Sequence, residues 1–290
     1  MRPSKVLREL LRRPGIIHVP IAYDALTARI AERVGFRCIN LGGYALGASL
    51  CTPEPLLCLE DVVAAARRIT SAVEIPLLID VGAGYGEPAH IVRTVREFER
   101  AGVAGIRIED QVFPKRVHYH KGVEHLVPPE VLCAKIRYAL EARRDPDFII
   151  GARTDAMLNE GFDEGVRRAN LYLKAGADFV AVFPNNVEEA RQAPAEIKGY
   201  VTYINSEGNR LGRPILSLSE LEPMGYKMAN DAISAINVAA KAVKDLFERL
   251  MRTGRTGMDQ ETFVPIRKEI EDTIGLDDYY RIEEETVEKR

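Results

Sequence analysis

The chain reads as an α/β protein: a (β/α)8 TIM barrel over residues 1–253, followed by a charged helical arm over 254–290. Three observations predict this. Short apolar runs rich in β-branched residues recur at 16–20, 38–41, 77–80, 105–109, 149–153, 179–183, 201–205 and 226–229, giving eight strands. Helical patterns separate most of these runs. Glycine recurs just after a helix and just before a strand, in Val34-Gly35-Phe36, Ala101-Gly102-Val103, Ala175-Gly176-Ala177 and Met224-Gly225-Tyr226. A left-handed residue closing a helix carries no Cβ penalty when it is glycine. Strands that alternate with helices pair in parallel through right-handed crossovers. Eight such units favour closure over an open doubly wound sheet, because residues 18–25 offer no glycine-rich nucleotide loop after the first strand.

The first strand leads into helix 25–34, with Asp24 at its N-cap. Strand 38–41 runs into Gly42 and Gly43, and helix 59–69 follows. Strand 77–80 ends on Asp80 before a glycine-rich turn and helix 89–101. Strand 105–109 alternates Ile106 and Ile108 around Arg107 and ends on adjacent carboxylates, Glu109 and Asp110. A buried strand has little reason to end in acid unless something there needs negative charge. The polar segment 111–129 carries Lys115, Arg116, His118, His120 and Lys121. Loops of that length in a compact domain are often lids. Helix 129–143, strand 149–153 ending on Arg153, and helix 163–175 come next. Strand 179–183 with Asn185 just beyond it, helix 187–193, and strand 201–205 ending on Asn205 follow. Helix 219–224 with Ser219 at its N-cap, the eighth strand, and helix 231–252 capped by Asp231 complete the barrel. The arm holds one expected helix, 263–270, and suits packing on a neighbouring subunit.

Composition excludes several function classes. The formal net charge is −3, which gives no broad attraction to nucleic acid. No apolar run approaches the roughly 20 residues of a membrane span. The N-terminus is basic but has no apolar core, so it does not read as an export signal. Cys38, Cys51, Cys58 and Cys133 form no Cys-x-x-Cys pair. They read as small core residues of a reduced, cytoplasmic protein rather than as a disulfide or zinc framework.

Active sites in such barrels collect at the C-terminal strand ends. Asn40, Asp80, Glu109, Arg153, Asn185 and Asn205 should therefore converge. Two acids, a fixed cation and several amides suit a metal-bound small anion: magnesium takes oxygen ligands, and arginine grips a carboxylate or phosphoryl group through two N–H donors. Each residue also has a plainer reading, with Asp80 capping a turn, Arg153 and Glu109 neutralising one another, and the histidines as solvated lid residues.

Three motifs in order, LLIDVGAGYGE at 77–87, GIRIEDQVFPKR at 105–116 and GARTDA at 151–156, resemble the isocitrate lyase / phosphoenolpyruvate mutase superfamily. The segments IAYDALTARIAE at 21–32 and Leu41-Gly42-Gly43 fit the same pattern, so the resemblance spans about residues 15–250. It implies a magnesium- or manganese-dependent barrel that makes or breaks C–C or P–C bonds in small 2-oxo or 2-hydroxy acids through an enolate. It also implies a homotetramer with a C-terminal helix swapped between subunits. By motif, Asp80 and Glu109 hold the metal, and Gly42, Gly43 and Tyr44 bind the substrate carboxylate. Arg153 grips the substrate, Asn205 lines the pocket, and Lys115 belongs to a mobile gate.

The departures narrow the expectation. Val117 stands where the lyase branch carries a proton-donating cysteine, which leaves His118, His120 or Tyr119 to deliver a proton. Gly82 replaces the second acid of the metal motif, with Glu87 placed to reach back, and Asn185 replaces an acid. The missing cysteine and the Gly42-Gly43 pair look more like the oxaloacetate decarboxylase branch. The leading expectation is a carbon–carbon lyase or decarboxylase acting on a small dicarboxylic acid. The alternatives are a phosphonopyruvate-type mutase or hydrolase, and a catalytically degenerate barrel that binds a metabolite.

Overall fold

The computed structural model describes residues 1–123 and 125–288. Its eight strands are β1 Ile17–Val19, β2 Ile39–Leu41, β3 Leu77–Asp80, β4 Gly105–Glu109, β5 Ile149–Arg153, β6 Phe179–Val182, β7 Val201–Asn205 and β8 Met228–Asp231. All neighbouring pairs are parallel, in the order β1-β8-β7-β6-β5-β4-β3-β2. The remaining gap is bridged just beyond β1. Asn40 donates its N–H to Pro20 O at 2.9 Å, and Ala22 donates to Asn40 O at 2.8 Å. The sheet therefore closes on itself as a TIM barrel.

The helices are α1 Pro3–Arg12, α2 Ala25–Val34, α3 Gly43–Ser49, α4 Leu59–Thr70, α5 Pro88–Arg100, α6 Pro129–Ala142, α7 Ala156–Asn159, α8 Phe162–Lys174, α9 Val187–Glu196, α10 Leu218–Met224, α11 Ser234–Thr253, α12 Gln260–Ile274 and α13 Leu276–Thr286. Asp24 caps α2 by accepting the Thr27 N–H at 2.8 Å. The N-cap of α10 is Ser217, two residues before the expected Ser219. Gly35 and Gly225 close their helices at φ 107° and 100°, as the recurring glycines predict. Glu87 is the exposed N-cap residue of α5, its N–H donates to His90 Nδ1 at 3.1 Å, and it is not among the residues that line the cavity beside Asp80.

The apolar core has two main parts and a small third cluster of Ala181, Phe183 and Ile204. The outward strand faces and the apolar helix stripes form one continuous cluster between sheet and helices. The second fills the barrel's N-terminal end: Ile17, Leu78, Ile149, Phe179 and Met228 point inward and pack with Leu7, Leu10 and Leu11 of α1. Helix α1, which the sequence reading left unassigned, plugs the bottom of the barrel, so its top is the open end. Gly151 lets the Phe179 ring enter this layer, since a Cβ there would stand 2.2 Å from the ring. Of the four cysteines only Cys38 is buried. Cys51 and Cys58 are exposed rather than core residues, because one ends a left-handed turn at φ 53° and the other sits at the N-cap of α4.

By compactness the chain divides into Met1–Ile236 and Asn237–Arg290. The first unit holds the barrel. The second holds most of α11, together with α12 and α13, two helices joined at Gly275 (φ 72°) where one was expected. Asp259 sets the start of α12 by accepting the Thr262 N–H at 2.8 Å. The second unit exposes large apolar side chains, among them Val238, Phe247, Met251, Val264, Ile274 and Tyr279. No helix among the described residues is long and apolar enough to cross a membrane.

Candidate active site

The C-terminal strand ends enclose a cavity of about 490 Å³. Asp80, at the end of β3, and Arg153, at the end of β5, both line it. Glu109, ending β4 between them, lies buried against them. Arg153 Nη1 stands 3.2 Å from Asp80 Oδ2 and 3.4 Å from Glu109 Oε2. Its other edge is held by Asp155, with Nε to Oδ1 at 2.9 Å and Nη2 to Oδ2 at 3.1 Å. Gln111 donates to the same Asp155 carboxylate. Arg153 and Glu109 thus do neutralise each other, but as members of a larger net. The guanidinium also lies 4.6 Å from the Phe183 ring centroid, and Arg213 meets the same ring at 4.8 Å.

The lid completes the net. Lys115 Nζ sits between two carboxylates, 2.7 Å from Glu54 Oε1 and 3.1 Å from Glu109 Oε1. It also lies 3.9 Å over the Tyr119 ring. The Tyr119 hydroxyl accepts from Arg153 Nη2 at 3.1 Å. The lid's base is pinned by backbone hydrogen bonds, Val112 N to His125 O and Val127 N to Asp110 O, both at 2.8 Å. Residues 117–121 form a single 3₁₀ turn. His120 faces the cavity, with its ring 5.9 Å from that of Tyr44, whereas His118 is exposed and absent from the cavity walls.

Electrostatics follow from burial. Burial pushes the Asp80 carboxyl up, but Arg107, Arg153 and Lys115 outweigh it and hold the group well below the usual carboxylate range. Glu109 is raised by burial despite Lys115 and Arg153, and Asp80 and Asp155 add to the rise. Burial lowers the Lys115 ammonium, yet Glu109 and Glu54 leave it well above the ordinary lysine value. The Tyr119 phenol is raised by burial, which outweighs the pull of Arg153 and Lys115. It stays protonated at neutral pH and is a proton source beside the cavity.

The remaining expected residues divide. Gly42, Gly43 and Tyr44 line the cavity where α3 begins, and the first N–H groups of a helix have no intrahelical partner. Asn205 is not among the cavity walls. Its side chain donates to Leu216 O at 2.7 Å and accepts from Leu216 N at 3.1 Å, closing the loop after β7. Asn185 also turns away, with Nδ2 donating to Met157 O at 2.7 Å. The sequence reading missed Glu54, which lies in a short turn between two prolines and meets Lys115 only in the fold. It treated Arg107 as a strand alternation residue, although its parity with Glu109 put it on the inward face.

Among the described residues no group of three His, Cys, Asp or Glu side chains is arranged around one metal position. Asp80 and Glu109 nonetheless suit a hard cation in kind. Glu109 Oε1 is buried and accepts no hydrogen bond, and its 3.1 Å approach to Lys115 is a charge contact alone. A Cβ added at Gly82 would stand 3.6 Å from that oxygen, so the glycine leaves room beside it. These oxygens fit magnesium with waters or substrate completing the shell.

The chain resembles known proteins over nearly its whole length. A family model for phosphoenolpyruvate phosphomutase matches residues 7–251. The chain is 37% identical over 286 residues to a 2,3-dimethylmalate lyase of Eubacterium barkeri, covering 98% of both. It is 36% identical over 292 residues to a 2-methylisocitrate lyase of Aeropyrum pernix, covering 99% of this chain and 92% of that one. It superposes with a TM-score of 0.87, at 29% identity and over 100% of both chains, on a phosphonopyruvate hydrolase solved with oxalate and magnesium. With its barrel, its strand-end acids and a match over most of its length, the chain belongs to the phosphoenolpyruvate mutase / isocitrate lyase superfamily.

Proposed function

We propose that the barrel is a magnesium-dependent lyase or decarboxylase for a small 2-oxo or 2-hydroxy dicarboxylic acid, with manganese able to replace magnesium. One observation carries the reading: Arg153 lies at the cavity wall within 3.4 Å of both Asp80 and Glu109, capped by a protonated phenol from the lid. Magnesium, when bound, supplies Lewis acidity at a substrate oxygen. Asp80 and Glu109 would hold it. The N–H groups of Gly43 and Tyr44 bind the substrate carboxylate next to the reacting carbon. Arg153 orients the substrate against the Asp80 side of the cavity. Lys115 fixes the lid on Glu54 and Glu109, which keeps water out. Decarboxylation of a 2-oxo acid releases CO2 and leaves an enolate, which takes the Tyr119 hydroxyl proton with His120 at its side. In a 2-hydroxy acid the alcohol proton leaves as its C–O becomes a carbonyl and the C–C bond breaks, and that proton replaces the one Tyr119 gives up. His118 has no part in this step.

Cations suited to a phosphonate are also present, and relatives include a phosphonopyruvate hydrolase. Phosphonate cleavage is therefore the second reading.

Oxalate mimics the enolate of a 2-oxo acid and tests the site. Calorimetry should show weak magnesium binding alone, because Lys115 and Arg153 compete for Glu109 and Gly82 adds no charge. With oxalate present, magnesium should bind at least tenfold more tightly. Oxalate that binds neither with nor without magnesium would sink the proposal.

The arm, residues 254–290, packs on another subunit of a homotetramer and exchanges a helix with it. The exposed apolar side chains of the second unit support this. Truncation after Thr253 should lower the mass seen by light scattering to that of a smaller oligomer. An unchanged mass and melting temperature would count against it.

A further inference from the structure

The lid and the strand ends account for only part of the cavity's polar lining. Beneath them, three residues from different strands face the cavity: Asn40 of β2, Arg107 of β4 and Asn230 of β8. They are 2%, 3% and 1% exposed, so water reaches them only through the cavity. Among the described residues, Asn40 Oδ1, Arg107 Nε and Nη1, and both polar atoms of the Asn230 amide have no hydrogen-bond partner. Arg107 spends a single contact on the site's acids, Nη2 to Asp80 Oδ2 at 3.0 Å. A guanidinium carries five N–H donors, and three of them sit on Nε and Nη1.

Buried polar groups in folded proteins are almost always paired, so an unpaired set in one cavity calls for a partner from outside the chain. A buried guanidinium with free donors calls for an anion. We propose that Arg107, with Asn230 and Asn40, forms a second anion subsite on the barrel floor, which receives the distal carboxylate of the substrate. The cavity then selects dianions over monoanions of the same length. The inference deepens the proposed function and rests on it: one carboxylate lies at the start of α3, and the other lies on the floor. Arg107 is a specificity residue here. The amides place both a donor and acceptors beside it, which suits a carboxylate flanked by a hydroxyl or an ordered water.

The test uses succinate as the dianion, butyrate as a monoanion of equal length, and oxalate with magnesium as a probe of the upper site. Wild-type protein should bind succinate at least tenfold more tightly than butyrate. In Arg107→Met that preference should vanish, with succinate weakened tenfold or more, while oxalate with magnesium changes less than threefold. Asn230→Ala guards against misfolding. It removes an unpaired buried amide, so the melting temperature should hold or rise while succinate affinity falls. Equal loss of succinate and oxalate in Arg107→Met would mean that Arg107 only holds Asp80 in place, and would overturn the proposal. Wild-type protein that does not prefer succinate, or variants that keep that preference, would overturn it too, with water as the floor's occupant. Failure of oxalate to bind the wild type would instead overturn the proposed function.

Discussion

Arg153→Met should lower kcat/KM by a factor on the order of a thousand or more and cost about 3–5 kcal/mol of stability. The stability loss comes from what the guanidinium leaves behind. Asp80, Glu109 and Asp155 all lie within 3.4 Å of it, with side chains at most 10% exposed. Removing one partner of a buried ion pair leaves uncompensated charge, which costs about 3–5 kcal/mol. Against a typical total of roughly 5–15 kcal/mol, the variant should still fold. The activity loss would have a separate origin: the proposed mechanism has Arg153 orient the substrate, and its Nη2 donates to the Tyr119 hydroxyl. Arg153→Lys separates the two effects. It keeps the charge and much of the stability, but loses the planar fork that serves Asp155 along one edge and Asp80 with Glu109 at the other. Urea unfolding and turnover measured on both variants check this. Turnover of Arg153→Met within threefold of wild type would remove Arg153 from the reaction.

Lys115→Met should act in opposite directions on metal and turnover. The ammonium occupies the Glu109 carboxylate that the metal would also use, 3.1 Å from Oε1, with Glu54 Oε1 at 2.7 Å on its other side. A unit charge at such a distance is worth about 4 kcal/mol at an effective dielectric near 20, before desolvation is subtracted. Its removal frees Glu109, and magnesium alone should bind ten- to a hundredfold more tightly in calorimetric titration. Turnover should still fall by about a hundredfold or more, because the lid loses its anchor to the barrel. Unchanged or weaker magnesium binding would mean that lysine and metal do not compete for Glu109.

The barrel was largely legible in the sequence. Strands β3, β4, β5 and β7 fall where alternation and flanking turns put them. The eighth strand is displaced, Met228–Asp231 rather than 226–229, because Asn230 and Asp231 are polar yet belong to it. Asn230 faces the cavity rather than apolar core, and a hydrophobic pattern cannot report such a position. Helix α1 carried a readable signal, Pro3 at its start and the i, i+3, i+4 set of Leu7, Leu10 and Leu11, but the basic residues around it obscured the pattern.

In the site, Asp80, Glu109 and Arg153 were legible because strand ends of a barrel converge by topology. Glu54 was not, since its role depends on a contact with Lys115 across 61 residues. The two lid histidines looked equivalent in sequence. A 3₁₀ turn has three residues per turn, so residues two apart point in different directions, and only His120 reaches the cavity. Arg107 was hidden by its own strand: an arginine between isoleucines reads as the solvated face, whereas in a closed barrel that face is the inside.

Cleavage of a carbon–carbon bond in a small diacid at this cavity can be observed directly. The most direct measurement is a proton NMR time course of the purified chain with a panel of 2-oxo and 2-hydroxy dicarboxylic acids and phosphonates, with magnesium and again with a chelator. A dicarboxylic acid should be converted to pyruvate or a similar 2-oxo acid with its partner product, the chelator should abolish this, and so should Arg153→Met. Turnover of a phosphonate to inorganic phosphate in preference to any diacid, or no turnover of any compound with magnesium present, would contradict the proposed function.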